Sequence, residues 1–349
     1  MASAIHRLSI SPPLMNSSCP WASETEQLQE LFDSPHTGAV TTRTATLTGF
    51  SETEEHTVVF AHDTVSSCNS YGYSPHPLSW YIDCVESIFK NAPEGSRKPF
   101  IISITSSSPI SLSSMLDAIQ QLRARLDDAA SPASRIGVEL NTSCPNIKGS
   151  PPPAYNAAAL APLLDVLAQH FWRDPTLTLG LKLPPYSYST QLTDLVKAVA
   201  ALSRPDPAEQ AHSANPIAFF TSTNTLGQTL LFGSQTRAGG VDASAYALPT
   251  VLGGLAGDAL HPLALGNVYS FRQLLDEHED VAVRAISIVG VGGVTTREAH
   301  ERMRRAGAKV VACATLLGRE GVKAFEMLTL VNEKHDFVEE KGGDQTETD

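Results

Sequence analysis

The chain has 349 residues, of which 42% are hydrophobic and 18% charged, with a formal net charge of -12. That length can bury a large core, either as one barrel or as two smaller domains. An acidic balance with no offsetting basic run excludes nucleic acid and anionic membrane as partners, so an anionic ligand must be met by a few placed cations.

The five cysteines (Cys19, Cys68, Cys84, Cys144, Cys313) contain no C-x-x-C pair. Their spacing suits neither a zinc site nor an iron–sulfur cluster, so no metal is expected, and an odd number makes a poor disulfide framework. A reducing compartment follows. The first residues lack a basic-then-apolar signal pattern, and no apolar run is long enough to span a bilayer. The expectation is a soluble, cytoplasmic protein.

Short apolar, strand-like runs fall at 14–17, 39–43, 100–105, 136–141, 177–182, 218–222, 286–290 and 309–312. Helix-like segments lie between them. Ser23 with Glu26, and Thr295 with Glu298, have capping-box spacing. Leu116, Ile119 and Leu122 recur at helical spacing, as do Leu160, Leu163, Leu164 and Leu167. Eight βα units predict a parallel sheet, and eight strands is the number that closes a (β/α)8 TIM barrel. An open doubly wound sheet is the competing topology. The stretch 223–274 lacks a clean period and should hold excursions that build a site, whereas 203–216 reads as an exposed insertion. Residues 1–338 are expected to form one domain, and 339–349 an acidic, disordered tail.

Barrel enzymes carry their chemistry at the C-terminal ends of the strands, and the unusual residues of this chain fall there. Arg43 ends the second run. The fourth leads into Asn141-Thr-Ser-Cys144-Pro-Asn146, the fifth into Lys182-Leu-Pro-Pro-Tyr186, and the sixth into Asn224-Thr225. The seventh leads into Gly290-Val-Gly292-Gly293, and the eighth supplies Ala314 and Thr315. Glycines ahead of a helix let backbone N–H groups approach an anion; a ligand-free tight turn is the plainer reading. Gly253-Gly254 could serve the same phosphate or mark another turn.

Lys182 is a buried cation in need of an anionic partner. Beside a flavin, that partner would be the charge that develops at the N1–O2 edge of the reduced ring. A Schiff-base lysine and a structural salt bridge are the alternatives. Cys144 could act as a base if its pKa or substrate binding favoured proton transfer; otherwise it is a small hydrophobe. Asn69, Asn141, Asn146 and Asn224 suit a flat ligand with alternating N–H and C=O edges, such as a pyrimidine. Singly, each is also an ordinary turn residue.

With these residues in view, the chain resembles the dihydroorotate dehydrogenases, and most closely their soluble, fumarate-linked branch, over about residues 8–333. The pieces that carry the resemblance are Glu139-Leu-Asn-Thr-Ser-Cys-Pro-Asn146, Gly180-Leu-Lys-Leu-Pro-Pro-Tyr186 and Gly290-Val-Gly-Gly-Val294. The resemblance implies FMN as cofactor and oxidation of (S)-dihydroorotate to orotate in pyrimidine biosynthesis. Cys144 would take the C5 proton while the C6 hydride passes to the flavin. Asn69, Asn141, Asn146, Asn224 and Thr225 would hold the pyrimidine, with Arg43 and Asn141 reaching both substrate and flavin. Lys182 would stabilise the reduced flavin. Ser17, Ser18, Gly253, Gly254, Gly292, Gly293, Ala314 and Thr315 would line the cofactor. Fumarate would reoxidise the flavin, and a homodimer is implied.

Three departures stand out. Arg43 replaces the family's lysine, keeping the charge but not the shape, and Cys19 and Ala314 replace glycines. They leave open a paralogue acting on another dihydropyrimidine or cyclic imide, or a barrel that binds flavin without turnover. A non-flavin aldolase barrel with Lys182 as Schiff base is the remaining alternative.

Overall fold

The computed structural model describes residues 2–131, 133–147, 149, 151–205, 213–237 and 244–329. The eight apolar runs become β1 (Leu14–Asn16), β2 (Val40–Thr41), β3 (Phe100–Ile104), β4 (Ile136–Asn141), β5 (Thr178–Leu183), β6 (Ile217–Ser222), β7 (Ser287–Val291) and β8 (Val310–Cys313). They form one sheet in the order β1-β8-β7-β6-β5-β4-β3-β2, with every pairing parallel. A parallel bridge between Met15 and Ala39 brings the first strand back to the second and closes the ring. At this seam the side-chain amide of Asn16 replaces the missing ladder. It donates to the Thr41 carbonyl at 2.6 Å and accepts from the Thr41 N–H at 2.9 Å. The fold is a (β/α)8 barrel, not an open sheet.

Each strand is followed by helix. In chain order these are α1 (Thr25–Asp33), α2 (Leu78–Asn91), α3 (Pro109–Arg125), α4 (Ala157–Arg173), α5 (Ser189–Ala200), α6 (His261–Asp276) and α7 (Arg297–Arg305), with α8 (Thr315–Glu320) and α9 (Lys323–Thr329) after β8. The leucines and isoleucines at helical spacing on α3 and α4 are buried against the barrel. Both helix caps sit one residue later than the sequence spacing predicts, and only the first is a capping box. Glu24 with Gln27 caps α1, because the Ser23 hydroxyl is spent on the Pro20 carbonyl at 2.7 Å. Thr296 caps α7, which frees Thr295 for the site.

Strand alternation sorts the core into two. Phe100, Ile102 and Ile104 face the helices, while Ile101, Phe219, Val289 and Val310 fill the barrel floor together with Ile5, Leu8 and Ile10 of an N-terminal hairpin. Above that floor the interior turns polar. Ser103 and Thr221 donate to the two oxygens of Glu139 at 3.1 and 2.6 Å.

A four-stranded antiparallel sheet roofs the barrel mouth, in the order Leu226–Thr229, Gly253–Gly257, Ser66–Asn69, Val58–Phe60. The stretch 223–274 thus supplies two roof strands and then most of α6. The ends of the 203–216 insertion pair as Arg204–Pro205 with Ser213–Ala214; its centre and the acidic tail lie outside the described residues. Among the described residues no helix is long and apolar enough to cross a membrane.

Candidate active site

One cleft opens between the strand ends and the roof, enclosing about 980 Å³ with its mouth included. Ligand-binding clefts are of this order. Among its lining residues Arg43 and Lys182 are cations, and none is acidic. In a chain of net charge -12, this is a local inversion suited to an anionic ligand.

Asn141 and Lys182 are register partners across β4 and β5, so both side chains project upward from the barrel interior into the cleft. Lys182 is only 5% exposed, and its Nζ donates to the Ser18 carbonyl at 2.9 Å. Among the described residues no carboxylate pairs with it, which removes the salt-bridge reading. The amide of Asn141 is oriented from both ends. Its Oδ1 accepts from the Ser143 N–H at 3.1 Å, and its Nδ2 donates to Thr44 Oγ1 at 3.0 Å. Asn224 joins the same cluster by donating to Ser143 Oγ at 2.9 Å and to Asn141 Oδ1 at 3.4 Å.

Cys144 follows on the loop beyond β4 and lines the cleft, half-buried. Burial pushes its thiol above the ordinary range, opposed by the Asn146 backbone N–H and by the charges of Lys182 and Arg43. Arg43 is buried too. Its Nη2 meets Glu52 Oε1 at 2.5 Å, its Nη1 lies 3.4 Å from both Glu52 Oε2 and Ser23 Oγ, and Tyr71 sits against the guanidinium at 5.3 Å.

At the other end, Gly292 and Gly293 follow β7 with φ of +123° and +64°. A Cβ on Gly293 would lie 2.5 Å from His261 Cβ, so this turn needs glycine. The Gly292 carbonyl accepts from His261 Nδ1 at 2.8 Å, and Thr295 donates to Asp258, which also takes the Val65 N–H at 2.8 Å. Ser17 Oγ and Thr223 Oγ1 point into the cleft region buried and without a partner among the described residues. Unpaired hydroxyls and a glycine turn lining a cleft that also holds two cations are what a flavin phosphate and ring would satisfy. The residues present therefore fit FMN.

Of the residues singled out from sequence, Ser17, Ser18, Arg43, Asn69, Asn141, Cys144, Asn146, Lys182, Asn224, Thr225, Gly292, Gly293, Ala314 and Thr315 all line this cleft. Gly253 and Gly254 do not. They pack behind it in the roof strand, where an added Cβ would meet Leu248 and Asn69 at position 253 or Thr225 at position 254. Ala256 and Gly257, further along that strand, reach the cleft instead. Trp21, Tyr71 and Tyr73 also line it; their sequence neighbourhoods carry no chemical signature beyond aromatic character.

A barrel with a cationic, carboxamide-rich cleft at its strand ends has the architecture of a barrel enzyme that takes an anionic ligand. The family model for dihydroorotate dehydrogenase matches residues 1–331. Relatives named dihydroorotate dehydrogenase A (fumarate) include one from Streptococcus equi subsp. equi, 30% identical over 331 residues, covering 94% of this chain and 90% of the relative. Another, from Streptococcus pneumoniae serotype 4, is 30% identical over 337 residues, covering 96% and 92%. The crystal structure of a dihydroorotate dehydrogenase from Eimeria tenella in complex with ferulenol superposes with a TM-score of 0.69 at 13% identity, over 94% of this chain and 82% of that one; it supports the fold. The chain belongs to the dihydroorotate dehydrogenase family and is an oxidoreductase. Family membership decides against the aldolase reading of Lys182.

Proposed function

We propose that the protein oxidises (S)-dihydroorotate to orotate with FMN bound in the cleft, Cys144 serving as base and fumarate as the acceptor that closes the cycle. The observation that carries this reading is the meeting, in one cleft, of the Cys144 thiol, the Lys182 ammonium and four carboxamides, with a glycine turn and unpaired hydroxyls at the far end.

FMN, when bound, supplies the acceptor for the C6 hydride. The chain's own residues do the rest. Cys144, as thiolate, takes the C5 proton, so that the C5=C6 bond forms as both hydrogens leave. Asn69, Asn141, Asn146, Asn224 and Thr225 present donors and acceptors to the N–H and C=O edges of the pyrimidine and hold C5 over the sulfur. Lys182 holds positive charge where the reduced ring is negative. Ser17, Gly292, Gly293, Thr315 and, in place of Gly253 and Gly254, Ala256 and Gly257 line the cofactor. Arg43 stands beside the substrate end. A cytosolic homodimer built of one barrel per chain belongs to the same reading.

The test is an absorption spectrum of the purified protein followed by anaerobic addition of dihydroorotate. A yellow protein that bleaches supports the reading. A colourless protein that FMN cannot reconstitute, or a yellow one that dihydroorotate leaves unchanged, overturns it.

A further inference from the structure

We propose that Glu52 is a specificity-determining residue: by occupying the guanidinium fork of Arg43, it weakens the preference of the cleft for a substrate that carries a carboxylate, and so admits uncharged dihydropyrimidines. The inference rests on the reading above and concerns the substrate class of the same site.

Two cations line the cleft. Lys182 is held at the barrel axis by the Ser18 carbonyl, on the side assigned to the flavin. That leaves Arg43 to meet a carboxylate on the substrate. Its fork is already filled, with both terminal nitrogens facing the two oxygens of Glu52. A guanidinium offers a carboxylate a fork of two parallel Nη donors, and with that fork occupied only its Nε edge is left for a second. The pair is also shielded, since the side chain of Arg43 is 6% exposed and that of Glu52 25%. Shielding of this order keeps the two charges coupled where a surface pair would be screened away. Glu52 does not line the cleft and closes the pair from outside it. A substrate carboxylate arriving at this end meets a neutral pair, whereas a ring without one loses nothing.

The experiment compares the FMN-loaded wild type with Glu52→Gln, which keeps the shape and removes the charge. Two readouts are taken: anaerobic flavin reduction by dihydroorotate and by dihydrouracil, and dissociation constants of orotate and uracil from the flavin spectrum. The expected result is that Glu52→Gln raises the dihydroorotate-to-dihydrouracil ratio by about tenfold, the scale of one hydrogen bond to a charged group. Orotate should tighten in parallel, with dihydrouracil and uracil little changed. The double variant Glu52→Gln/Arg43→Gln should fall back toward the wild-type ratio. An unchanged ratio overturns the proposal. A fall in the ratio also overturns it, and assigns Glu52 the opposite task of aiming Arg43 at the carboxylate. If Glu52→Gln does not hold FMN, the wild type decides alone: reduction by dihydroorotate more than about a thousandfold faster than by dihydrouracil, beyond what one such contact supplies, sinks the idea. If neither substrate bleaches the wild-type flavin, it is the reading of the site that has failed, and the specificity proposal falls with it.

Discussion

The side-chain amide of Asn146 donates to both oxygens of Asn69, Oδ1 at 3.1 Å and the backbone carbonyl at 3.2 Å, and to the Tyr71 carbonyl at 2.8 Å. This contact ties the loop that carries Cys144 to the roof strand 77 residues earlier. Cys144 is thereby positioned by the roof as well as by β4. Asn146→Asp would turn a donor into an acceptor facing three acceptors. We expect it to slow flavin reduction by about 10²-fold, the scale of an ångström's misplacement, while FMN stays bound. Stopped-flow reduction at saturating dihydroorotate measures this, and a wild-type rate would show that the loop needs no tether.

Because burial holds the Cys144 thiol above its ordinary range, its reactive thiolate is the minor form at neutral pH. The protonated thiol cannot accept the C5 proton, so the reduction rate should climb with pH, about tenfold per unit on the acidic limb, and level off only above the ordinary thiol range. Arg43→Gln removes one of the charges that pull this pKa down and should move the limb to higher pH. Cys144→Ala should cut the rate by roughly 10²–10⁴-fold and abolish the limb, with FMN retained. A pH-independent rate in the wild type would remove Cys144 from proton transfer.

The Gly292 carbonyl can only accept, so His261 Nδ1 must carry the hydrogen of their 2.8 Å bond, and Arg302 Nε donates to the remaining ring nitrogen at 3.2 Å. A neutral ring of fixed tautomer thus braces the glycine turn from behind. His261→Phe preserves the bulk and deletes the brace. The expected outcome is FMN binding weakened by about tenfold, one net hydrogen bond, with reduction close to normal once the cofactor is saturating. Fluorescence titration with FMN gives the affinity; an unchanged value would return His261 to simple packing.

The barrel strands were legible because each is a short apolar run, and residues at or just past most of their ends became the cleft. What the sequence left open depends on register and on distant pairing. Gly253-Gly254 and Gly257 look alike in composition, and only the antiparallel alignment of Gly254 with Asn69 and Gly257 with Ser66 fixes which stretch of that strand reaches the cleft. The α1 box slipped by one residue because Ser23 and Glu24 are both competent caps, and the choice is made by Pro20. Glu52 was invisible. It stands near Glu54 and Glu55 in a loop with no period, and only the approach of that loop to β2 selects it as the partner of Arg43.

The opposite end of the barrel separates stability from chemistry. Arg123, 1% exposed at the end of α3, donates from Nε to Asp128 at 3.0 Å, from Nη1 to Asp174 at 2.5 Å and Gln120 at 2.7 Å, and from Nη2 to Thr176 Oγ1 at 2.8 Å. These groups clamp the turns that enter β4 and β5, far along the strands from Cys144. Arg123→Leu would leave Asp128 buried without its cation, a loss of about 3–5 kcal/mol, while the turnover of molecules still folded should be unaffected. Asp174 adds a pH signature. Desolvation raises its pKa, but the hydrogen bonds from Thr176 and Gln120 and the charge of Arg123 outweigh this and bring it from 3.8 to about 2. A depressed carboxylate stabilises the fold above its unfolded pKa and loses that contribution as pH falls through the folded value. Wild-type stability should therefore drop between about pH 4 and pH 2 more steeply than that of Arg123→Leu, in which part of the depression is gone. Thermal melts across that range check both points; coincident curves would mean that the clamp contributes neither stability nor its acid dependence.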